Sequence, residues 1–321
     1  MYSISKNRRA TIISMKQHFL QSQSWERFLN SQGEKTFRLN EENFSALCVL
    51  KETPVGNYLF LPYGPSLASI RDLGPAIKAI SELAQKQNCI FVRIEPINKL
   101  SAKTTSKLKL KKTKDYDPKH TIILDLEPSE EEILQNMNQS RRNFFRNYTK
   151  KGISVRTSKD KKDAKILIDF LNQITDSRHF STHSEKYLTD QLDFDFATLY
   201  IAEFENKAIG AALCYDSEDT RFYAHAAASD EYRKLSPGVA ILTQMIIDAK
   251  RNGQKYFDFW GATDSTDEKH PWYHFTQYKL SFGGKMVEYG GTYDLPINKT
   301  KYTLYTTLRK INRAKRKLLH Q

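Results

Sequence analysis

The side chains able to do chemistry concentrate between Tyr256 and Asp294, in the run YFDFWGATDSTDEKHPWYHFTQYKLSFGGKMVEYGGTYD. Aromatic rings, carboxylates and lysines are densest there. The familiar catalytic signatures are missing: no HExxH, GxSxG, GxGxxG or phosphate-binding P-loop occurs. Metalloprotease, serine hydrolase, dinucleotide enzyme and nucleotide triphosphatase are thereby disfavoured. His179 and His183, and His270 and His274, stand four apart, but a lone HxxxH is a weak metal signal, and no metal is expected. Cys48, Cys89 and Cys214 lie far apart within apolar runs, which fits buried reduced thiols better than a disulfide framework.

Charge supplies the second chemical clue. The 321 residues carry 50 Lys and Arg against 37 Asp and Glu. Seven lysines and no acid fall between Lys99 and Lys114, and eight basic residues and no acid between Lys299 and Gln321. Those fifteen account for the surplus, since the other 35 basic and 37 acidic residues nearly cancel. Localised positive charge points to a polyanion, whether nucleic acid, phosphorylated substrate or anionic membrane. The alternative is a solvated lysine-rich loop and terminal helix. No window approaches the roughly 18 consecutive apolar residues of a membrane span, and MYSISKNRRATIISMK lacks the apolar core of a secretory signal, so the expected location is cytoplasmic.

The elements that must position these groups alternate between strand and helix. SWERFLNS reads as a short helix. FSALCVLKE and NYLFL are strands around a Pro-Val-Gly turn, a helix spans about Ser69 to Gln87, and CIFVRIEP and HTIILDL are strands. Ser129 and Glu132 form a capping box that opens a helix expected to run to Lys151 and stop at Gly152. The pattern then restarts: ISVRT, helices near Lys161–Ile174 and Glu185–Leu192, the strands ATLYIAEF, KAIGAALCY and RFYAHAAA, the helix Pro237–Asn252 and the strand KYFDFWG. Tyr58 to Phe91 and Phe222 to Phe257 repeat one order, an aromatic strand, an amphipathic helix and a buried strand. The reading is α/β with mixed sheets in two similar domains, and Leu304, Leu308, Ile311, Leu318 and Leu319 are expected to dock a final basic helix on the first.

HFLQSQSWERF, HTIILDL with SEEEILQNMNQSRRNFFRNYTKKGISV, FYAHAAAS, LSPGVAILTQMIIDAKRNGQKYFDFWG and YKLSFGGKMVEYGGTYDL, in that order, resemble the FemABX family. Its members move an amino acid from aminoacyl-tRNA onto the stem peptide of a peptidoglycan precursor, UDP-linked or lipid-linked. The resemblance implies two tandem GNAT-like acyltransferase domains, residues 1–151 plus 296–321 and residues 152–295, without the helical hairpin of the staphylococcal members. It implies no cofactor, with aminoacyl-tRNA and precursor as partners and peripheral contact with an anionic membrane possible for the basic segments. Tyr278, Lys279, Phe282 and Gly283 match its FKxxFG-like motif, making Lys279 the expected stabiliser of the carbonyl oxyanion during ester aminolysis. Glu95 matches an acidic position that could orient or deprotonate the attacking amine. Arg27 matches a diphosphate contact, and Thr182 and Tyr187 fall in the substrate stretch RHFSTHSEKY, where Ser184 replaces an arginine of some members. Tyr223 and His225 match the peptide channel and, two apart on a strand, are expected to share a face.

Two rival readings remain. An acyl-CoA-dependent N-acyltransferase holds pyrophosphate at a helix N-terminus through Arg or Gln, two residues, Gly, one residue, and Gly or Ala. Gly238 and Ala240 fit that pattern and Leu235 breaks it. The other is a non-catalytic protein that binds RNA or anionic lipid on the same scaffold.

Overall fold

The computed structural model describes residues 17–178 and 183–319. In chain order they form α1 (Gln23–Ser31), β1 (Thr36–Asn40), β2 (Phe44–Lys51), β3 (Tyr58–Leu61), β4 (Ser66–Leu67), α2 (Leu73–Lys86), β5 (Phe91–Ile94), α3 (Ala102–Lys107) and β6 (Lys111–Lys112). There follow β7 (His120–Asp125), α4 (Glu130–Asn136), α5 (Gln139–Asn147), β8 (Ile153–Ser158), α6 (Ala164–Arg178), α7 (Glu185–Asp190), β9 (Ala197–Phe204), β10 (Lys207–Asp216) and β11 (Thr220–Ala228). The chain continues through α8 (Pro237–Arg251), β12 (Tyr256–Asp258), α9 (Tyr273–Leu280), β13 (Lys285–Glu288), β14 (Tyr293–Pro296) and α10 (Lys299–Leu319). None of the helices among the described residues is long and apolar enough to cross a membrane.

Two seven-stranded mixed sheets result, one ordered β1-β2-β3-β5-β14-β6 with β4 on β2, the other β13-β7-β12-β11-β10-β9-β8. Each contains one parallel pair bridged by a helix: β3 and β5 through α2, and β11 and β12 through α8. A parallel pair needs such a crossover, so the repeat seen in the sequence falls on these two βαβ units. The α/β fold with two mixed sheets is therefore as expected.

Strand pairing places the limits of the units differently. β7 pairs with β12 and β13, and Ile133, Leu134, Met137 and Tyr148 share a core with α8. Residues 120–151 thus belong with the second sheet, although the sequence reading assigned them to the first. Conversely β14 pairs with β5 and β6, so the return to the first sheet begins at Tyr293, ahead of residue 296. The helix expected from Ser129 to Lys151 breaks at Met137 and Asn138. Met137 is extended there, and Asn138 N–H donates to the Ser281 carbonyl at 2.9 Å, not within a helix.

α10 does pack on the first unit, through residues other than those expected. Tyr302 and Tyr305 bury against Tyr58, Phe60, Ile90 and Phe91, whereas Leu304, Leu308 and Ile311 are exposed. The side chains of Leu318 and Leu319 lie outside the described ones. Beneath α10 the Arg93 guanidinium makes a bidentate pair with Asp294, 2.8 and 2.9 Å, and the Tyr302 hydroxyl donates to Asp294 Oδ2 at 3.1 Å. Both ions are fully buried, so each depends on the other for its solvation. The two units meet over Phe19, Leu20, Trp25, Phe28 and Leu29, which share one apolar cluster with Leu188, Leu192, Phe196, Tyr215 and Phe222.

Candidate active site

A cleft of about 670 Å³ lies between the units. The first unit contributes Trp25, Phe60, Tyr116 and Asp117, and the second His183, Tyr187, Tyr215, Tyr223, His225, Trp260, Phe275 and Lys279. It opens where β11 and β12 part: they pair only over Thr220–Phe222 and Tyr256–Asp258, and the chain beyond each paired stretch enters the wall. Trp260 and Gly261 follow β12 directly, both at positive φ, so the backbone turns sharply there and aims its carbonyls inward.

Those carbonyls hold Lys279. Its Nζ donates to the Trp260 carbonyl and, at 2.7 Å, to that of Gly261, and it lies 4.0 Å from the centroid of the Phe275 ring. α9 presents the lysine to the cleft yet leaves it only 2% exposed. Burial lowers its pKa from 10.5 to about 7, and the nearby Asp258 carboxylate partly opposes that fall. Asp258 is fixed by the Thr121 hydroxyl, the Trp260 N–H at 2.7 Å and the Tyr289 hydroxyl at 3.1 Å. The result is a desolvated ammonium on a rigid frame, poised to lose its proton near neutrality.

Glu95 lies behind the cleft wall, outside the lining residues. Its Oε1 accepts from Tyr116 N–H at 3.2 Å, Asp117 N–H at 3.1 Å and the Thr292 hydroxyl at 2.6 Å, while Oε2 is buried without such a donor. The group that reaches the cleft is Asp117, which the sequence reading missed. Burial, and then the Glu95 carboxylate, push Asp117 up to about 8. Nothing in KDYDPKH distinguished it from an ordinary turn aspartate before proline; its burial, together with the approach of Glu95, 22 positions away, does so.

The remaining expected residues divide. Tyr187, Tyr223 and His225 all line the cleft. Tyr187 stacks on His183 at 4.3 Å, and the His225 Nε2 lies 3.1 Å from the Tyr215 hydroxyl. Burial lowers His225 to about 3, so its imidazole is neutral. Tyr223 and His225 do not share a face of the sheet as expected. β11 pairs Tyr223 with Cys214 and His225 with the adjacent Leu213, so Ala224 is a bulge residue that reverses the alternation. Both still reach the cleft because it opens at the sheet's splayed end.

Arg27 is exposed on α1, with its guanidinium 3.2 Å from Ser24 Oγ and outside the wall that Trp25 joins. Tyr278, next to Lys279 on α9, points away from the cleft, under the Arg141 guanidinium at 5.1 Å. Thr182 lies outside the described residues.

The FemAB family profile matches residues 189–310. The lipid II:glycine glycyltransferase of Staphylococcus epidermidis is 25% identical over 131 residues, 40% of this chain and 32% of that one. Its counterpart from Staphylococcus haemolyticus is 21% identical over 275 residues, 64% of this chain and 66% of its own. The aminoacyltransferase FemA of S. epidermidis is 28% identical over 91 residues, 28% of this chain and 22% of that one. The chain therefore matches about a third of the first glycyltransferase's length. In fold it superposes on the crystal structure of FemX with a TM-score of 0.80 at 16% identity, over 90% of this chain and 95% of that one. By profile, relatives and fold together, the chain is similar to the FemABX proteins.

Proposed function

We propose that this chain is an aminoacyltransferase that carries an amino acid from aminoacyl-tRNA to the stem-peptide amine of a peptidoglycan precursor, as in forming an interpeptide bridge. The observation that carries this reading is the pairing, across one cleft between the units, of the dry Lys279 with the raised carboxyl of Asp117. Aminolysis of an ester needs both. The neutral amine attacks the aminoacyl carbonyl, the oxygen gains negative charge, and the Lys279 ammonium stabilises it. Asp117, when ionised, takes the proton shed by the attacking nitrogen, and Glu95 positions Asp117 through its backbone N–H. The ribose oxygen of the tRNA leaves as the hydroxyl, taking the proton that Asp117 removed from the amine, and no covalent enzyme intermediate is required. Holding amine and ester together in the cleft supplies much of the rate. Tyr187, Tyr223 and His225 give the peptide aromatic and neutral walls.

The names of the relatives, glycyltransferase acting on lipid II and aminoacyltransferase, support the transfer and the precursor. The acyl-CoA reading has less support. Besides Leu235 at the required basic position, a Cβ on Gly238 would meet the Tyr278 hydroxyl at 3.2 Å. That side chain occupies the approach to the start of α8 where a pyrophosphate would sit. Transfer is tested with purified protein, a pool of tRNAs charged with labelled amino acids, and UDP-linked or lipid-linked muropeptide as acceptor. Label is expected in the muropeptide. No transfer to either acceptor, together with thermal stabilisation by acetyl-CoA, would replace this reading by the acyl-CoA one.

A further inference from the structure

α10 has two faces of opposite character. Tyr302 and Tyr305 are 7% and 9% exposed and hold the helix to the first unit. Leu304, Leu308 and Ile311 are 51%, 41% and 45% exposed. At spacings of four and three they lie within about 60° of one another around the helix, forming a single apolar stripe. No acidic residue occurs from Lys299 to Gln321, against eight basic ones. Lys301 and Lys315 fall beside or on the stripe by the same period, and both are exposed.

The fold brings the second basic cluster to the same place. β6 pairs with β14, the strand that leads into α10, and Lys111 Nζ lies 5.4 Å from the centroid of the Tyr302 ring. Lys103, Lys107, Lys109, Lys111, Lys112 and Lys114 are all exposed. Two clusters nearly 200 positions apart in sequence thus meet at α10, the second beside Tyr302 on the face away from the apolar stripe.

We propose that α10 forms a docking surface for an anionic lipid bilayer, with the helix lying along the interface. Leu304, Leu308 and Ile311 enter the acyl boundary while the lysines meet the headgroup phosphates. Charge complementarity selects this occupant. RNA phosphates would satisfy the lysines but have no use for the leucines, and a second copy would bring two wholly basic helices together. This surface is separate from the cleft, and the inference does not depend on acyl transfer.

The test is co-sedimentation of the full chain with vesicles of phosphatidylcholine alone or mixed with phosphatidylglycerol, alongside tRNA binding. One variant carries Leu304→Gln, Leu308→Gln and Ile311→Gln, which keep helix propensity. The other carries Lys301→Gln and Lys315→Gln. Melting followed by circular dichroism verifies that both fold. The native chain is expected on the anionic vesicles only. The stripe variant should lose at least about tenfold in vesicle affinity with tRNA affinity unchanged, and the charge variant about fivefold per lysine removed. Equal binding to both vesicle types, or undiminished anionic binding by the stripe variant, would overturn the proposal. So would a parallel loss of tRNA affinity in the stripe variant, which would assign the surface to RNA. A dimer present in the native chain and absent from that variant would assign it to a second copy.

Discussion

Replacing Lys279 by Met separates the lysine's contribution to catalysis from its effect on stability. The side chain is buried, and a fall in pKa from 10.5 to about 7 corresponds to about 5 kcal/mol of disfavoured charge in the native state. Below pH 7 the lysine is protonated both folded and unfolded, so the native state bears that cost in full. Between pH 7 and 10.5 the unfolded chain holds the proton and the native state gives it up, so the unfolded state binds more protons and native stability rises with pH. Met abolishes this dependence. It also leaves the carbonyls of Trp260 and Gly261 without their donor, at about 1–3 kcal/mol each, but that loss is the same at every pH. The stability of Lys279→Met relative to the native chain should therefore decline by about 3 kcal/mol between pH 6 and pH 9, whatever its absolute sign. Urea unfolding across that range measures the difference. Single-turnover transfer by the same folded variant should drop by about 10² to 10³, the effect of losing one oxyanion donor. A stability difference that does not move with pH would refute the buried, depressed lysine. Unchanged transfer would remove Lys279 from the mechanism.

Three further outcomes follow from the geometry. The pH profile of kcat/KM should be a bell with limbs at about 7 and about 8, set by Lys279 and Asp117. Asp117→Asn should abolish most activity, and its residual rate should lose the acid limb and fall only above about pH 7; a retained acid limb would exclude Asp117 as the base. Tyr302→Ala with Tyr305→Ala should destabilise the first unit by at least about 3 kcal/mol, since two buried rings and a hydrogen bond to Asp294 are lost; unaltered melting would show α10 to be an independent arm. Gly290→Ala should unfold the chain or shift its melting strongly downward, because a Cβ there would lie 2.4 Å from the Asn98 carbonyl oxygen and 2.6 Å from that of Pro96; an unaffected variant would disprove that close approach.

What the sequence determined by itself was local. Alternation, turn residues and caps gave most strands and helices, because side-chain period and capping chemistry act within a few residues. The repeated strand-helix-strand order gave both parallel pairs, since a parallel pair needs its crossover nearby in the chain. Lys279 was legible through Tyr278, Phe282 and Gly283, a contiguous motif, and Tyr187, Tyr223 and His225 through similar short stretches. Tertiary structure decided whatever depends on partners distant in sequence. β7 and β14 each joined the sheet that chain order did not suggest, because strand pairing is satisfied by any edge the fold presents. Tyr278 and Arg27 turned away from the cleft, and the bulge at Ala224 separated the faces of Tyr223 and His225; a strand's own residues do not announce a bulge, which is defined against the neighbouring strand. Asp117 became a candidate base only when the fold buried it beside Glu95, for a carboxyl's pKa is set by burial and neighbouring charge rather than by its own residue type. The two basic clusters, each visible in the sequence as a run, met at α10 only through the pairing of β6 with β14.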